Sequence, residues 1–238
     1  MSTIINNGVT IITPTIRPTY IRNVFTNYSN QRWSMKELII LLNKDSMNYT
    51  AYQRMASKYP NVRVFKLSER YSLGECLNYA VRRAKYNYIA KFDDDDYYGP
   101  NYIPEAMRLF KRTKADIVGK KSYYLYFPHR RTLMLRRSSA RPYGPCGRIA
   151  GATIIFRRKL FNHVKFIKAA HGTDARFLST CLKRGFSMYS TSRYHFAAIR
   201  RSNVRSHTWT ISERELLTES NKQIIRTKYY KKYVNRSN

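Results

Sequence analysis

Residues 88–100 read Tyr-Ile-Ala-Lys-Phe-Asp-Asp-Asp-Asp-Tyr-Tyr-Gly-Pro. The first five residues are mostly apolar and predict a buried strand, and Gly99-Pro100 predicts a turn. Four consecutive carboxylates, Asp93 to Asp96, therefore follow the carboxyl end of a strand, which is where open α/β sheets bind ligands. Because carboxylates this close repel one another, we expect cations to hold them.

Strands and helices alternate on both sides of this acidic run. The predicted strands are short apolar segments, and the predicted helices carry apolar residues at three- and four-residue intervals. The strands are 9–13, 37–42, 62–67, 88–92 and 152–156, and the helices are 20–28, 49–58, 72–84, 102–113, 174–183 and 213–233. Asp174 is expected to cap the fifth helix, and residues 129–141 predict a loop or hairpin. The alternation predicts an α/β fold with a mostly parallel sheet covered by helices on both faces.

The composition limits the class of protein. The chain of 238 residues has 45 Lys and Arg against 14 Asp and Glu, a formal net charge of +31. This excess predicts an anionic partner, either a phosphorylated substrate, an anionic membrane surface or nucleic acid, and a merely solvated cationic surface is the alternative. No apolar stretch has the roughly 20 residues that a membrane span needs, and the amino terminus has no signal-peptide pattern. Cys76, Cys146 and Cys181 lack metal-site spacing, so we expect reduced thiols in a cytoplasmic protein.

The acidic run has the chemistry of a divalent metal site. Asp93 and Asp95 form an Asp-x-Asp pair, and carboxylate oxygens suit Mg²⁺ or Mn²⁺ while leaving coordination positions for phosphate oxygens. A calcium-binding or solvated turn is the alternative interpretation. His195 and His207 are further candidate metal ligands, of which we favour His207, and the alternative is that both are ordinary loop or core histidines.

Several segments resemble the family-two glycosyltransferases of the GT-A fold. In residues 71–84, Gly74 and Asn78 lead a helix that feeds the strand ending in the acidic run, and Pro100 follows a few residues later, as in that family. The opening strand and loop at 11–15 are similar to the family's nucleotide loop.

Two further segments extend the resemblance, which covers roughly residues 9–186. Asn43 to Asp45 lies where the family places a carboxylate that contacts the nucleotide base. Gly172-Thr-Asp174 resembles the family's Gly-x-Asp helix start, whose acid is a general base.

The resemblance implies one GT-A domain over residues 1–238. Its Rossmann-like, mostly parallel central sheet would be flanked by helices and accompanied by a smaller mixed sheet on the acceptor side and a C-terminal helix. Residues from about 9 to 100 would bind the nucleotide sugar, those from about 101 to 200 the acceptor, and those from about 201 to 238 would form a basic lid and helix.

The resemblance also implies a function and residue roles. The reaction would be a metal-dependent, inverting transfer of a sugar from a nucleoside diphosphate, UDP or dTDP, to a glycan, lipid-linked or protein acceptor in cell-envelope or surface glycan synthesis. Asp95 would bind the metal, Asp93 would lie nearest the ribose and first phosphate, His207 would complete the metal site, and Asp174 would be the general base. The remaining nucleotide-sugar contacts would be Thr13, Pro14, Thr15, Asp45, Asn78 and Asp94. Without this resemblance, Asp174 is equally explained as a helix cap and Asp45 as a turn residue.

The basic residues beyond the acidic run have two interpretations. Arg148, Arg205 and Trp209 are candidate contacts for phosphate or acceptor, because guanidinium binds phosphate in a bidentate manner. The same stretches also suit peripheral contact with anionic lipid at the inner face of a membrane. The rival functions are a polyanion- or nucleic-acid-binding protein without catalysis and a nucleotidyltransferase. Four aspartates would repel nucleic acid, and residues 13–18 are not a Gly-rich phosphate loop.

Overall fold

The structure, a computed structural model, describes residues 7–139, 141–169, 172–202, 211, 213–218 and 222–235. In this part of the chain, twelve strands form sheet A, with seven strands, and sheet B, with five. The strands are β1 (Val9–Thr15), β2 (Lys36–Leu42), β3 (Val62–Lys66), β4 (Tyr88–Lys91), β5 (Tyr97–Tyr98), β6 (Ile117–Gly119), β7 (Tyr123–Phe127), β8 (Thr132–Arg136), β9 (Ile155–Arg157), β10 (Met188–Ser190), β11 (Phe196–Ile199) and β12 (Lys222–Arg226). The α-helices are α1 (Ile21–Ser29), α2 (Tyr49–Ala56), α3 (Leu73–Arg83), α4 (Tyr102–Arg112), α5 (Thr173–Lys183), α6 (Glu213–Thr218) and α7 (Tyr230–Val234).

Sheet A is the mostly parallel sheet that the sequence predicts. Its order is β10-β6-β9-β4-β1-β2-β3, and only β9 runs antiparallel to its neighbours. Successive side chains of a strand point to opposite faces, and both faces here are apolar. Ile11 therefore packs into one core cluster and Ile12 into another on the opposite face. This double burial explains why the strands are continuous apolar runs in the sequence.

The order of the strands locates a ligand site. From β1 the chain passes to β2 and β3 on one side and then returns to β4 on the other side of β1. Open α/β sheets bind ligands at such a switch point, outside the carboxyl ends of the strands. The loop after β1 and the acidic run after β4 both lie there.

Sheet B corrects the prediction for the carboxyl-terminal region. A single helix over 213–233 is wrong, because this region contains α6, β12 and α7. β12 pairs antiparallel with β8, so Ile224 lies opposite Met134. This pairing provides hydrogen-bond partners for the backbone groups at the edge of β8. β7 and β8 form the hairpin predicted as one option for residues 129–141. The short strand β5 follows the acidic run and pairs antiparallel with β11.

The two helices that flank the site begin in different ways. Ser72 caps α3 in a reciprocal capping box with Glu75, worth about 1 kcal/mol of helix stability. The N-cap of α5 is Gly172, whose φ of +72° favours glycine. The prediction that Asp174 caps this helix is therefore wrong, and its carboxylate is available for another role.

Within the described residues, no helix is both long and apolar enough to cross a membrane.

Candidate active site

The backbone of the acidic run is held by amide and phenol side chains. Asn23 on α1 donates to the carbonyl oxygens of Asp94 (2.7 Å) and Asp96 (2.9 Å). Asn27, one helical turn further on, also donates to the Asp96 carbonyl (2.8 Å). The Tyr98 hydroxyl accepts the Asp93 N–H at 2.8 Å. These bonds fix the turn while leaving its carboxylates to other partners.

Two arginines bind the middle of the run. Arg17, in the loop after β1, forms an ion pair with Asp94 and a second one with Asp95 at 3.0 Å. Arg201, just after β11, binds the same Asp95 oxygen at 2.5 Å. Both guanidinium groups also lie over the ring of Tyr20. Two of the expected cationic partners thus exist within the chain, and they come from two separate segments.

Asp96 has a structural position. Its carboxylate is buried and accepts the N–H of Ile199 at 2.9 Å, which ties the run to β11. Burial, with Asp95 and Asp93 nearby, raises the pKa of Asp96 well above its usual range. Asp96 is therefore not arranged as an exposed ligand.

Lys91, the last residue of β4, joins the acidic run to α5. Its side chain is only 2% exposed, and its Nζ lies 2.5 Å from Asp93 Oδ1 and 3.1 Å from Asp174 Oδ2. Burial alone would lower the pKa of Lys91, but Asp174 and Asp93 outweigh it and keep the amine charged. One buried cation therefore holds the first aspartate of the run and the predicted base in the same place.

Asp174 has the features of a proton acceptor. Lys91 binds its Oδ2, whereas its Oδ1 is buried and has no hydrogen-bond partner among the described residues. Burial raises the pKa of Asp174 above its ordinary value; Lys91 opposes this effect and Asp93 adds to it. A carboxylate with a raised pKa and one unoccupied oxygen is suited to general-base chemistry.

Gly151 leaves the space that Asp174 occupies. A Cβ on Gly151 would lie 2.6 Å from Asp174 Oδ2 and 2.8 Å from Asp174 Cβ, closer than real Cβ contacts. Only glycine therefore permits the observed approach of α5 to the turn before β9.

Gly151→Ala is expected to displace Asp174. With Asp174 as the base that the family resemblance implies, sugar transfer is expected to fall by about 10²-fold, the cost of roughly 1 Å of misplacement. Donor binding, measured as thermal stabilisation by nucleotide, is expected to persist. Gly147→Ala is the matched control, because a Cβ there meets nothing within 4 Å. Equal activity in the two variants would show that the Gly151 contact does not position the base.

The predicted nucleotide contacts fall into two groups. Thr15 donates to Asp94 at 2.5 Å, and Thr13 and Pro14 lie with it at the end of β1 beside the acidic run. Asp45 lies on the exposed loop after β2, where its carboxylate accepts the Glu69 N–H at 3.3 Å.

Asn78 is used structurally. Its side-chain amide donates to the Phe166 carbonyl (2.8 Å) and accepts the Phe166 N–H (3.0 Å), which binds α3 to the segment before α5.

The structure describes two of the candidate metal histidines and basic contacts, His195 and Arg148. His195 is buried near Glu105 and Lys120, and burial lowers its pKa to about 4, so it is neutral. Arg148 is exposed in the loop before Gly151. The other candidates lie outside the described residues: His207, Arg205 and Trp209. In the described part of the chain, no three His, Cys, Asp or Glu side chains come together as a ready-made metal site.

Sequence analysis missed the residues that organise the site, namely Arg17, Asn23, Asn27, Lys91, Tyr98, Gly151 and Arg201. Lys91 was detectable, because a single charged residue in an otherwise apolar buried strand requires a partner. The arginines gave no local signal, since their partners are 77 and 106 residues away.

The sheet order and the carboxylate cluster define the GT-A class of glycosyltransferase folds. The chain belongs to glycosyl transferase family 2, whose sequence model matches residues 10–171. Both findings confirm the resemblance and the fold that the sequence predicts. A comparison with curated proteins gives no match.

Solved structures support the same fold. S. aureus TarS 1–349 is similar with a TM-score of 0.60 and 15% identity, covering 81% of this chain and 60% of that one. Its complex with UDP-GlcNAc matches with a TM-score of 0.60 and 14% identity over 82% of this chain and 59% of that one. The mannosyltransferase PcManGT from Pyrobaculum calidifontis, in complex with GDP-Man and Mn²⁺, matches with a TM-score of 0.61 and 17% identity over 81% of this chain and 56% of that one. The chain thus spans less than two thirds of the length of these proteins.

Proposed function

We propose that the chain transfers a sugar from a nucleoside diphosphate, UDP or dTDP, to an acceptor hydroxyl with inversion at the anomeric carbon. The observation that carries this proposal is the Lys91 bridge, which brings the acidic run and Asp174 together at one edge of sheet A. Membership of glycosyl transferase family 2 supports the reaction class. The unpaired cysteines support a cytoplasmic location.

The residues present fit a divalent cation. Asp93 and Asp95 would hold Mn²⁺ or Mg²⁺, which commonly takes one or two protein carboxylates and fills its remaining positions with water and phosphate oxygens. The side chain of Asp95 is 11% exposed and that of Asp93 35%, so neither is fully buried. When bound, the metal ion would neutralise negative charge on the leaving diphosphate.

The chain's own residues would carry out the remaining steps. The Asp174 carboxylate would accept the proton of the acceptor hydroxyl as the hydroxyl oxygen bonds to the anomeric carbon and the bond from that carbon to the diphosphate oxygen breaks. The nucleoside diphosphate would leave with the bonding electron pair. Arg17 and Arg201, already beside the run, would offer guanidinium groups to the phosphates.

A thermal-stability screen of nucleoside diphosphates tests this proposal. UDP or dTDP is expected to raise the melting temperature in Mn²⁺ or Mg²⁺ but not in EDTA, because a ligand that binds only the folded state stabilises it by mass action. At a ligand concentration about 100 times Kd, the gain is about 2.7 kcal/mol. Stabilisation by single-stranded oligonucleotide without metal, and none by nucleotide, would instead favour a polyanion-binding protein.

A further inference from the structure

The acceptor side of the chain has an uneven charge pattern. Residues 117–173 contain 13 Lys and Arg and no Asp or Glu. This segment runs from β6 to the start of α5 and ends next to the proposed base. An excess of one sign of charge concentrated beside a cleft attracts ligands of the opposite sign.

Part of this charge is used within the fold. Lys120 forms a buried ion pair with Glu105 at 3.0 Å. Arg157 and Arg158 donate to the backbone carbonyls of Ala115 (2.8 Å) and Ala84 (2.7 Å). These residues stabilise the structure and are not available to a ligand.

Three other basic residues are in a different position. Lys121 is half-buried, Arg141 and Arg148 are exposed, and none forms an ion pair with a carboxylate of the described residues. We call this set the loop cations. Their charges are therefore available to a bound anion.

Backbone hydrogen bonds hold the loop that carries Arg141 and Arg148. The loop at 141–150 is bound along β10, where Tyr143 N–H donates to Ser190 O (2.8 Å) and Cys146 N–H to Met188 O (2.9 Å). Ala150 N–H then donates to the carbonyl of Lys120, which places Lys121 beside the end of the loop. Arg148 precedes Gly151 by three residues, so their Cα atoms are at most about 11 Å apart.

The shape of the site favours a linear anionic ligand over an anionic membrane surface. The Asp174 side chain is only 23% exposed and packs against Gly151. The exposed aromatic of the loop, Tyr143, donates its hydroxyl to Glu105 at 3.0 Å and is not free to enter a bilayer. A flexible chain of phosphates can lie on the loop and still present a hydroxyl to a recessed base, which a planar membrane surface cannot do.

We propose, on the basis of the proposed function, that the acceptor carries a chain of phosphates and that the loop cations bind it beside Asp174. Arginine is suited to this role, because its planar guanidinium forms paired hydrogen bonds with phosphate oxygens. The interaction is expected to weaken with salt, since exposed charges are screened.

Binding of fluorescently labelled inorganic polyphosphate, without nucleotide or metal, tests this inference. The double variant Arg141→Gln/Arg148→Gln is expected to raise the Kd at least about fivefold at low salt, from the loss of two charge-assisted contacts. The matched control is Arg54→Gln/Lys58→Gln, which removes two exposed charges at α2, beside the opposite edge strand β3. The control is expected to bind within about twofold of wild type, because its charges lie far beyond the screening length of the loop.

Equal weakening in both double variants, or none in either, would overturn the inference, because binding would then follow net charge alone. Vesicles with and without phosphatidylglycerol form the second arm. If Arg141 and Arg148 mattered for vesicle binding but not for polyphosphate binding, the partner would be a membrane and the inference would be wrong. Metal-dependent stabilisation by UDP, measured on the same proteins, reports on the proposed function separately from polyphosphate binding.

Discussion

Asp174→Asn is expected to abolish sugar transfer while the protein still binds its nucleotide donor. The amide cannot take a proton from the acceptor hydroxyl, and loss of a general base typically costs about 10²–10⁴-fold in rate. The substitution keeps the shape of the side chain, and Asp93 and Asp95, the residues proposed to bind the donor, are unchanged. Transfer is measured as release of nucleoside diphosphate from the sugar donor, and donor binding as thermal stabilisation in Mn²⁺.

The pH dependence of the wild-type rate provides a second readout of the same residue. The proposed base, Asp174, would act as the carboxylate, so the rate is expected to rise with pH as the group loses its proton and to level off above its pKa. Because burial raises the pKa of Asp174, this rise is expected above the ordinary range of a carboxyl group. Full transfer activity in Asp174→Asn would show that another residue is the base.

Lys91→Met is expected to lower transfer by about 10²-fold at neutral pH, the lower end of the range for general-base catalysis. Methionine has a similar length but no charge, so Asp174 loses the cation that favours its ionised form. Removing that cation raises the pKa of Asp174 further, and the acid limb of the rate profile moves to higher pH. Activity is expected to recover partly as the pH rises, which distinguishes this effect from loss of structure.

Lys120→Met is the matched control for Lys91→Met. Lys120 is also a buried lysine in an ion pair, but its partner is Glu105 and not Asp174. Its removal leaves a buried carboxylate unpaired and is expected to destabilise the fold by about 3–5 kcal/mol. The acid limb of the rate profile is expected to stay in place. If both variants moved the limb equally, Lys91 would have no specific effect on the base.

The amino-terminal part of the fold was predictable from local pattern. β1 to β4 are continuous apolar runs, and the intervening helices have one apolar face, so period and composition locate them without tertiary information. The position of the acidic run followed directly, because it comes immediately after β4.

The carboxyl-terminal part depends on contacts that a local pattern does not contain. The segment Lys222–Arg226 has no helical or alternating period, and it becomes a strand because β8, nearly a hundred residues earlier in the chain, offers an unpaired edge. The Asp174 side chain is compatible with a helix cap in the sequence. In the fold, Gly172 caps the helix and Asp174 turns to Lys91.

Two of the cationic partners of the acidic run also depend on contacts that are distant in sequence. The sequence predicts that something positive must hold four adjacent carboxylates, and a metal ion was the evident candidate. In the structure Arg17, Lys91 and Arg201 already bind three of them. A bound metal ion would therefore share these carboxylates with the three basic side chains. The contribution of each carboxylate to metal binding has to be measured by substituting it.

The acidic run is proposed to hold a nucleoside diphosphate through a divalent cation at Asp95. Calorimetric titration of UDP or dTDP into wild-type protein and Asp95→Asn, each in Mn²⁺ and in EDTA, measures this most directly. Saturable binding is expected only for wild type with Mn²⁺, with a loss of at least about tenfold in affinity, 1.4 kcal/mol, in the variant. Equal affinity in Asp95→Asn and wild type, or wild-type affinity that persists in EDTA, would contradict the claim.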